Sequence, residues 1–204
     1  MNNITSFPDA SINGVHHTAR PTWKLRETVE FYRDKLGLPL VHAITAKGWP
    51  EGHPDFLHFF FDSGNGSTIA FFYYLGTEQP DNVKPFNSHF SRATHTAWKV
   101  NQLEELSNWK KRLEAVGIPL RYETRHEVIE SIYFSDPNGY PLEITYQLRP
   151  FSEKDINDAQ LTLDTAMELE DLMLSGSGND SFADIEDLWT RKGKSLLHEF
   201  EDMV

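Results

Sequence analysis

The chain of 204 residues contains no cysteine. It can therefore form neither disulfide bonds nor thiolate metal sites, which excludes zinc fingers, iron–sulfur clusters and thiol nucleophiles. It also lacks any apolar run approaching the roughly 18 residues of a membrane-spanning helix. Its first residues, MNNITSFPDAS, have neither the positive charge nor the apolar segment of a secretory signal. We therefore expect a cytoplasmic protein with no membrane partner.

Positive charge is scarce, since 19 Lys and Arg stand against 31 Asp and Glu. The excess of acid is concentrated in residues 151–204, which hold 14 acidic and 4 basic side chains. Such a chain repels phosphate backbones, so we expect no nucleic-acid partner. The change in composition falls at Arg149-Pro150, where proline ends the preceding element. It predicts one domain over residues 1–150 and an acidic helical extension over residues 151–204.

Two short sequence marks recur about 80 residues apart. His-Thr-Ala occurs at 17–19 and 95–97, and Gly-Leu-Pro-Leu at 37–40 is matched by Gly-Ile-Pro-Leu at 117–120. Apolar residues repeat at helical spacing between the marks of each copy. Short β-type runs separated by turn residues follow each second mark, at 57–61, 69–74, 129–134 and 142–146. The pattern predicts an α+β fold of two paired βαβββ modules, over about residues 12–76 and 90–148.

The strongest local motif lies at the end of the second repeat. Thr124-Arg125-His126 is followed by Ile132-Tyr133, then by Asp136-Pro137-Asn138-Gly139, and finally by Glu143. Asp-Pro-Asn-Gly predicts a turn between two strands. Tyr133 and Glu143 would then lie on adjacent strands of one hairpin and could point into the same cavity.

The duplicated pattern resembles the vicinal oxygen chelate superfamily, which includes glyoxalases, fosfomycin and bleomycin resistance proteins and type I extradiol dioxygenases. The resemblance covers roughly residues 12–148, and Phe-Tyr-Arg-Asp-Lys-Leu-Gly-Leu at 31–38 is similar to the usual first helix of that superfamily. The motif over residues 124–143 matches in full the sequence signature of extradiol ring-cleavage dioxygenases. The chain therefore resembles this group most.

The resemblance implies a metal ion held by His17, His95 and Glu143. Alternation favours His17 over His16, because His17 and His95 both precede Thr-Ala and would lie on the same face of equivalent strands. Two imidazoles and one carboxylate form the facial triad of non-heme Fe(II) oxygenases, so Fe(II) is the expected cofactor and Mn(II) the alternative. Aligning the repeats puts Ala70 opposite Glu143, so the fourth protein ligand of glyoxalases is missing.

The implied activity is a metal-dependent dioxygenation of a small aromatic or catecholic substrate, most simply extradiol ring cleavage. Tyr133 and His126 are the catalytic candidates, because a phenol can hydrogen-bond a substrate oxygen and an imidazole can exchange a proton near neutral pH. The alternatives are a glyoxalase-type isomerase or lyase that consumes no oxygen, and a non-catalytic protein that sequesters a drug.

One departure from the family concerns the acid–base histidine of type I extradiol enzymes, whose expected position falls at or near Ser67. Either another residue such as His58 or His53 takes that role, or the chain performs a different reaction on the same metal. The aromatic runs at 56–61 and 71–74 would line an apolar substrate pocket or belong to the core. The sequence leaves both interpretations open.

Apolar residues of the tail recur at helical spacing in two stretches, joined by Ser-Gly-Ser-Gly-Asn-Asp at 175–180. The first stretch contains Ile156, Ala159, Leu163, Met167 and Met173, and the second contains Phe182, Ile185, Leu188, Trp189, Leu196, Phe200 and Met203. Burial of such stripes favours packing on the body or across a dimer over a regulatory role. We expect a homodimer, with a helix folded back on its own chain as the alternative.

Overall fold

The computed structural model describes residues 12–48, 52–83, 93–125 and 128–176. The chain divides into two compact units, Met1–Leu148 and Arg149–Val204. Among the described residues, no helix is long and apolar enough to cross a membrane.

The first unit contains two four-stranded sheets. Module 1 consists of β1 (His17–Thr22), β2 (Leu40–Ala46), β3 (Phe56–Gly64) and β4 (Ser67–Tyr74), in the order β1-β4-β3-β2. Module 2 consists of β5 (Thr96–Val100), β6 (Tyr122–Arg125), β7 (Ile129–Ser135) and β8 (Pro141–Gln147), in the order β5-β8-β7-β6. In each sheet the first and last strands pair in parallel and the other neighbours pair antiparallel. The predicted α+β fold of two paired βαβββ modules is confirmed.

Each module carries a helix after its first strand. Helix α1 (Leu25–Val29) continues through Glu30–Lys35 in wider π-helical turns, and α2 spans Leu103–Ala115. The wide winding lets the Leu36 amide donate to the Phe31 carbonyl. The adjacent residues Phe31 and Tyr32 of this segment are both buried. A short 3-10 turn occupies Asp81–Val83.

Helix α2 ends in a Schellman motif at the second of the repeated glycines. The Ile118 amide donates to the Leu113 carbonyl, and the Gly117 amide donates to the Glu114 carbonyl. Gly117 has a φ of 71° and Gly37, at the equivalent place after α1, has a φ of 74°. This left-handed conformation favours glycine, which explains why glycine opens the repeated Gly-x-Pro-Leu mark.

One apolar core is shared by both modules. Phe31 of module 1 lies beside Phe134 of β7, with 6.5 Å between ring centroids. The helix-side faces of the two sheets therefore meet the same core, and we infer that their opposite faces also lie on a common side. We call this opposite side the cup face. Its positions are Phe56, His58, Phe60, Ala70, Phe72 and Tyr74 in module 1, and Ile129, Ser131, Tyr133, Glu143, Thr145 and Gln147 in module 2.

Contacts between β1 and module 2 join the two sheets. The Arg20 guanidinium donates to the Thr96 hydroxyl at the start of β5. It also lies over the Tyr140 ring, 5.1 Å from the centroid. The Tyr140 hydroxyl donates to the Pro21 carbonyl at 2.9 Å. The first strands of the two modules therefore lie next to each other.

A buried polar network also crosses between the modules. Asn138, in the turn between β7 and β8, accepts a hydrogen bond from the Thr22 hydroxyl at 2.8 Å and donates to the Thr28 hydroxyl at 3.1 Å. The Asp136 carboxylate accepts hydrogen bonds from the Asn138 amide at 3.0 Å and from the Tyr32 hydroxyl at 3.1 Å. Burial raises the pKa of Asp136. The Asp-Pro-Asn-Gly turn thus ties module 2 to the start of α1.

Strand β2 forms the outer edge of module 1. All seven of its residues are exposed, including the large apolar side chains of Leu40, Val41 and Ile44. The apolar runs of the sequence did not locate this strand or its counterpart β6.

The second unit contains helix α3 (Glu153–Leu174), which confirms a helical extension over this range. A capping box begins it: the Ser152 amide donates to the Asp155 carboxylate at 2.7 Å, and the Asp155 amide donates to the Ser152 hydroxyl at 3.3 Å. Arg149 binds the same carboxylate through two nitrogens, at 2.5 and 2.7 Å. These hydrogen bonds hold the pKa of Asp155 well below its usual range. The predicted helical stretch that starts at Phe182 lies outside the described residues.

Candidate metal centre

Two of the three predicted metal ligands meet on the cup face of module 2. His95 directly precedes β5, and Glu143 lies on β8 opposite Ala97. The His95 Nε2 atom is 2.9 Å from the Glu143 Oε2 atom. The Glu143 side chain is almost fully buried, whereas that of His95 is 33% exposed. The imidazole therefore reaches a buried carboxylate from the open side of the sheet.

The spacing of this pair fits a divalent metal ion. Two ligand atoms bound about 2.1 Å from one ion at right angles are about 3.0 Å apart. The observed 2.9 Å between His95 Nε2 and Glu143 Oε2 is close to that separation. An imidazole nitrogen and a carboxylate oxygen are also ligands that transition metals accept. The chemistry of this pair suits an ion, and its spacing is compatible both with a shared ion and with a direct hydrogen bond between the two side chains.

His17 is placed differently. It begins β1, its Nδ1 atom is 2.9 Å from the His16 Nδ1 atom, and its ring meets Phe60 edge-on at 6.0 Å between centroids. Within residues 12–48, 52–83, 93–125 and 128–176, no three His, Asp or Glu side chains lie close enough together to hold one ion. The structure thus brings His95 and Glu143 together and leaves His17 apart, so its role as third ligand stays a prediction.

The strand pairing supports the alignment of the repeats. Ala19 pairs with Ala70 in module 1 as Ala97 pairs with Glu143 in module 2. Across the hairpins, Ala70 pairs with Phe60 as Glu143 pairs with Tyr133. Ala70 is therefore the positional equivalent of Glu143, and module 1 offers no carboxylate at that place.

Tyr133 lies beside the His95–Glu143 pair. It faces Glu143 across the hairpin, and its ring is 6.0 Å from that of His95. Burial, together with the neighbouring Glu143 carboxylate, raises the pKa of Tyr133 to about 12. The phenol therefore keeps its proton at neutral pH and acts as a hydrogen-bond donor.

The sequence interpretation overlooked Tyr122. It lies on β6 opposite Tyr133, and the two rings stack with 4.3 Å between centroids and 20° between planes. Tyr122 is 45% exposed, so it extends the phenol surface towards solvent. Alternation from Thr124 would have placed it on the cup face, because residues two apart in a strand share a face.

The structure distinguishes His58 from His53, the two histidines considered for the acid–base role. His58 lies on the cup face of β3, is buried, and stacks flat on Phe72 at 3.7 Å between centroids. Its Nδ1 atom is 3.0 Å from the Phe71 carbonyl oxygen. Because a carbonyl only accepts, Nδ1 carries the proton and Nε2 has the free lone pair in the neutral ring. Burial lowers the pKa of His58, which favours that neutral form.

The other candidate acid–base positions are less suited or lie outside the described residues. His53 precedes β3 and is exposed, and its Nδ1 atom binds the Pro54 carbonyl at 2.9 Å. The Ser67 hydroxyl donates to the Val15 carbonyl. His126, the second predicted catalytic residue, lies outside the described residues.

Comparison with known proteins gives one family and several relatives. A model of the Glyoxalase/Bleomycin resistance protein/Dioxygenase superfamily matches residues 14–144. The chain is 26% identical over 137 residues to MhqA of Bacillus subtilis strain 168, which carries the name of a ring-cleaving dioxygenase; the match covers 66% of this chain and 40% of MhqA. It is 39% identical over 82 residues to the metallothiol transferase FosB of Bacillus licheniformis, covering 39% of this chain and 48% of FosB.

The chain thus spans less than half of the length of these two curated relatives. Among solved structures, a glyoxylase/bleomycin resistance protein/dioxygenase domain from Frankia sp. EAN1pec is similar with a TM-score of 0.51 and 16% identity. That match covers 69% of this chain and 96% of the Frankia domain. At this identity the likeness shows the fold alone.

Proposed function

The chain belongs to the Glyoxalase/Bleomycin resistance protein/Dioxygenase superfamily, and from that premise we propose that it is a metal-dependent dioxygenase of small aromatic, catecholic substrates. The reaction we propose is extradiol ring cleavage. The observation that carries the proposal is the His95–Glu143 pair at 2.9 Å, with the Tyr133 phenol on the neighbouring strand, opposite Glu143. The similarity to MhqA supports the same reaction class.

His17, His95 and Glu143 would hold the ion, with Fe(II) as the proposed metal and Mn(II) as the alternative. When bound, such an ion would supply Lewis acidity and open coordination positions for oxygen ligands. His17 and His95 occupy the same place in the two His-Thr-Ala marks, so His17 is the proposed third ligand. The His17 Nδ1 atom lies 2.9 Å from His16 Nδ1, so Nε2 is the nitrogen that would bind the ion.

The chain's own residues supply a donor and an acceptor for protons. The Tyr133 hydroxyl, protonated at neutral pH, donates a hydrogen bond to a substrate oxygen placed beside Glu143. The Nε2 atom of His58 accepts a proton, because the Phe71 carbonyl fixes the proton of the ring on Nδ1. His58 is therefore the residue that we propose in place of the family's acid–base histidine.

Metal content tests the ligand set directly. We expect anaerobic reconstitution with Fe(II) to give about one ion per chain, and we expect Glu143→Ala, His95→Ala and His17→Ala each to lower that content strongly. His16→Ala is the matched control, since it removes a neighbouring imidazole outside the set. Full metal content in a double variant of His95 and Glu143 would refute the assignment, and full content in His17→Ala would remove His17 from it.

Oxygen uptake tests the reaction. The Fe(II)-loaded chain is incubated with a panel of catechols while an oxygen electrode and visible absorbance are followed. Uptake together with a new visible absorbance band is the expected result. A filled metal site that consumes no oxygen with any catechol would contradict the dioxygenase proposal.

A second candidate is an oxygen-independent reaction at the same site. It is favoured by the 39% identity to the metallothiol transferase FosB over 82 residues. A thiol transfer or a glyoxalase-type isomerisation would form product under strictly anaerobic conditions. Ligand binding without product under either condition would instead indicate a drug-sequestering protein.

A further inference from the structure

The cup face of module 1 carries a continuous row of aromatic rings, which we call the aromatic row: Phe56, His58 and Phe60 on β3, and Phe72 and Tyr74 on β4. Phe72 lies at its centre. It stacks on His58 at 3.7 Å and on Tyr74 at 6.1 Å, and it meets Phe56 edge-on at 5.5 Å between centroids. The phenylalanines of the row and Tyr74 are only half-buried. The core is instead filled from the other face of the same strands, by Phe59, Phe61 and Phe71.

The internal duplication shows that the fold does not require this row. The two hairpins have matching register, so each position of the row has an equivalent in module 2. The equivalents are Ile129, Ser131, Tyr133, Thr145 and Gln147. Ser131 and Thr145, the equivalents of His58 and Phe72, are hydrogen-bonded to each other at 2.9 Å. The same backbone arrangement therefore accepts small polar side chains at the positions of His58 and Phe72.

The two halves of the cup face consequently differ in chemistry. Module 2 presents the His95–Glu143 pair and Tyr133, which suit oxygen atoms, whereas module 1 presents half-exposed aromatic carbon. Aromatic surface left open to water marks sites where ligands bind. A ligand that matches both halves has an oxygenated end and a flat apolar end.

We propose that the aromatic row is a subsite for a second aromatic ring of the substrate, fused to the oxygenated ring or attached to it. That the oxygenated end of the substrate lies at the His95–Glu143 pair rests on the proposed function. Binding of a flat ring by the aromatic row requires no turnover. The substrate class is then an aryl-extended diphenol, and a single-ring catechol fills only part of the site.

The test compares catechol with naphthalene-2,3-diol, which adds one fused ring to the same diol. Calorimetric titration of the full chain, metal-free and without oxygen, gives the ratio of the two dissociation constants. We expect naphthalene-2,3-diol to bind about tenfold more tightly, as expected for burial of a small apolar group. Phe72→Thr installs the residue of module 2 at the centre of the row, and we expect it to reduce the ratio to roughly one.

Phe151→Thr is the matched control, because it makes the same change at a phenylalanine that is 65% exposed and outside module 1. It should keep the tenfold ratio. Tyr74→Gln, which also installs the module 2 residue, provides a second variant if Phe72→Thr does not fold. An equal ratio in the wild type and in the folded row variants would overturn the subsite, as would undetectable binding of naphthalene-2,3-diol to the wild type.

Two further measurements distinguish a ligand subsite from a subunit contact and from the proposed activity. A lower mass of Phe72→Thr in sedimentation, with an unchanged affinity ratio, would assign the row to a subunit contact and overturn the proposal. Oxygen uptake with catechol tests the proposed function independently. If the wild type consumes no oxygen but binds naphthalene-2,3-diol about tenfold more tightly than catechol, the dioxygenase proposal is refuted and the subsite stands. If it consumes oxygen but binds the two diols equally well, the subsite is refuted and the dioxygenase proposal stands.

Discussion

Replacing Asn138 by alanine removes a buried side chain that joins the two modules. Its carbonyl accepts from the Thr22 hydroxyl at 2.8 Å, and its amide donates to the Thr28 hydroxyl at 3.1 Å and to the Asp136 carboxylate at 3.0 Å. The two threonine hydroxyls keep the 2.9 Å contact between them. Asp136 keeps its hydrogen bond from Tyr32. The variant therefore weakens the network without leaving any of these groups wholly unpartnered.

The expected loss follows from the kinds of hydrogen bond removed. Each neutral hydrogen bond contributes about 1 kcal/mol and one to a charged group about 1.5–3 kcal/mol, but the partners retain other contacts. We therefore expect Asn138→Ala to lower the free energy of unfolding by about 2–4 kcal/mol. With a urea m-value of about 1–3 kcal/mol/M, this loss should lower the midpoint of urea denaturation by roughly 1 M or more.

Urea denaturation followed by circular dichroism measures this effect. Asn108→Ala is the matched control, because Asn108 is exposed on α2 and the change should alter the free energy of unfolding by no more than about 0.5 kcal/mol. If both variants unfold at the same urea concentration, the network does not stabilise the fold and the reasoning is wrong.

Three other predictions concern groups outside this network. The wild type should lose stability as the pH rises from about 10 towards 12, because only the folded chain keeps the Tyr133 proton in that range, and Tyr133→Phe should reduce this loss. Equal urea midpoints of the variant and the wild type across that pH range would contradict the prediction. Asp155→Ala should speed amide hydrogen exchange in the first turn of α3. The effect should shrink as the pH falls below about 4, because Arg149 and Ser152 hold the pKa of this carboxyl below its usual range. Unchanged exchange at neutral pH would count against the capping box. Removing residues 151–204 should convert a dimer into a monomer in sedimentation and leave metal content unchanged. A truncated chain that is still dimeric would remove the assembly role of the extension.

The fold could be predicted because the duplicated marks coincide with local physical requirements. The glycines at 37 and 117 end helices in the left-handed conformation, and the apolar spacing between the marks matches buried helix faces. Strand β2 could not be located, because Leu40–Ala46 is exposed on both faces and carries no alternation of apolar and polar residues. The π-helical winding over Glu30–Lys35 was not predicted either, because apolar spacing does not distinguish it from an α-helix.

The candidate site was predicted in part. Glu143 and Tyr133 share a hairpin whose turn residues fix the register, so their proximity follows from local sequence. His95 precedes a strand that pairs in parallel with β8, which brings it to Glu143. His17 belongs to the other module, and its distance from the pair depends on side-chain rotation and on how the sheets pack, which no local pattern specifies. Tyr122 was missed because a lone strand tyrosine has no chemical signature.

The exposed edge at β2 has a consequence for how the protein behaves at high concentration. Its outward backbone amides and carbonyls can pair with a strand of another molecule, and Leu-Val-His-Ala-Ile-Thr-Ala contains no proline, lysine or acidic residue to prevent this. Short β-prone segments without charge are the ones that nucleate aggregates. A single lysine at Ala43 would act as a gatekeeper, since it places a charge at the middle of the strand. The exposed edge of module 1 is thus also a segment through which two molecules can associate.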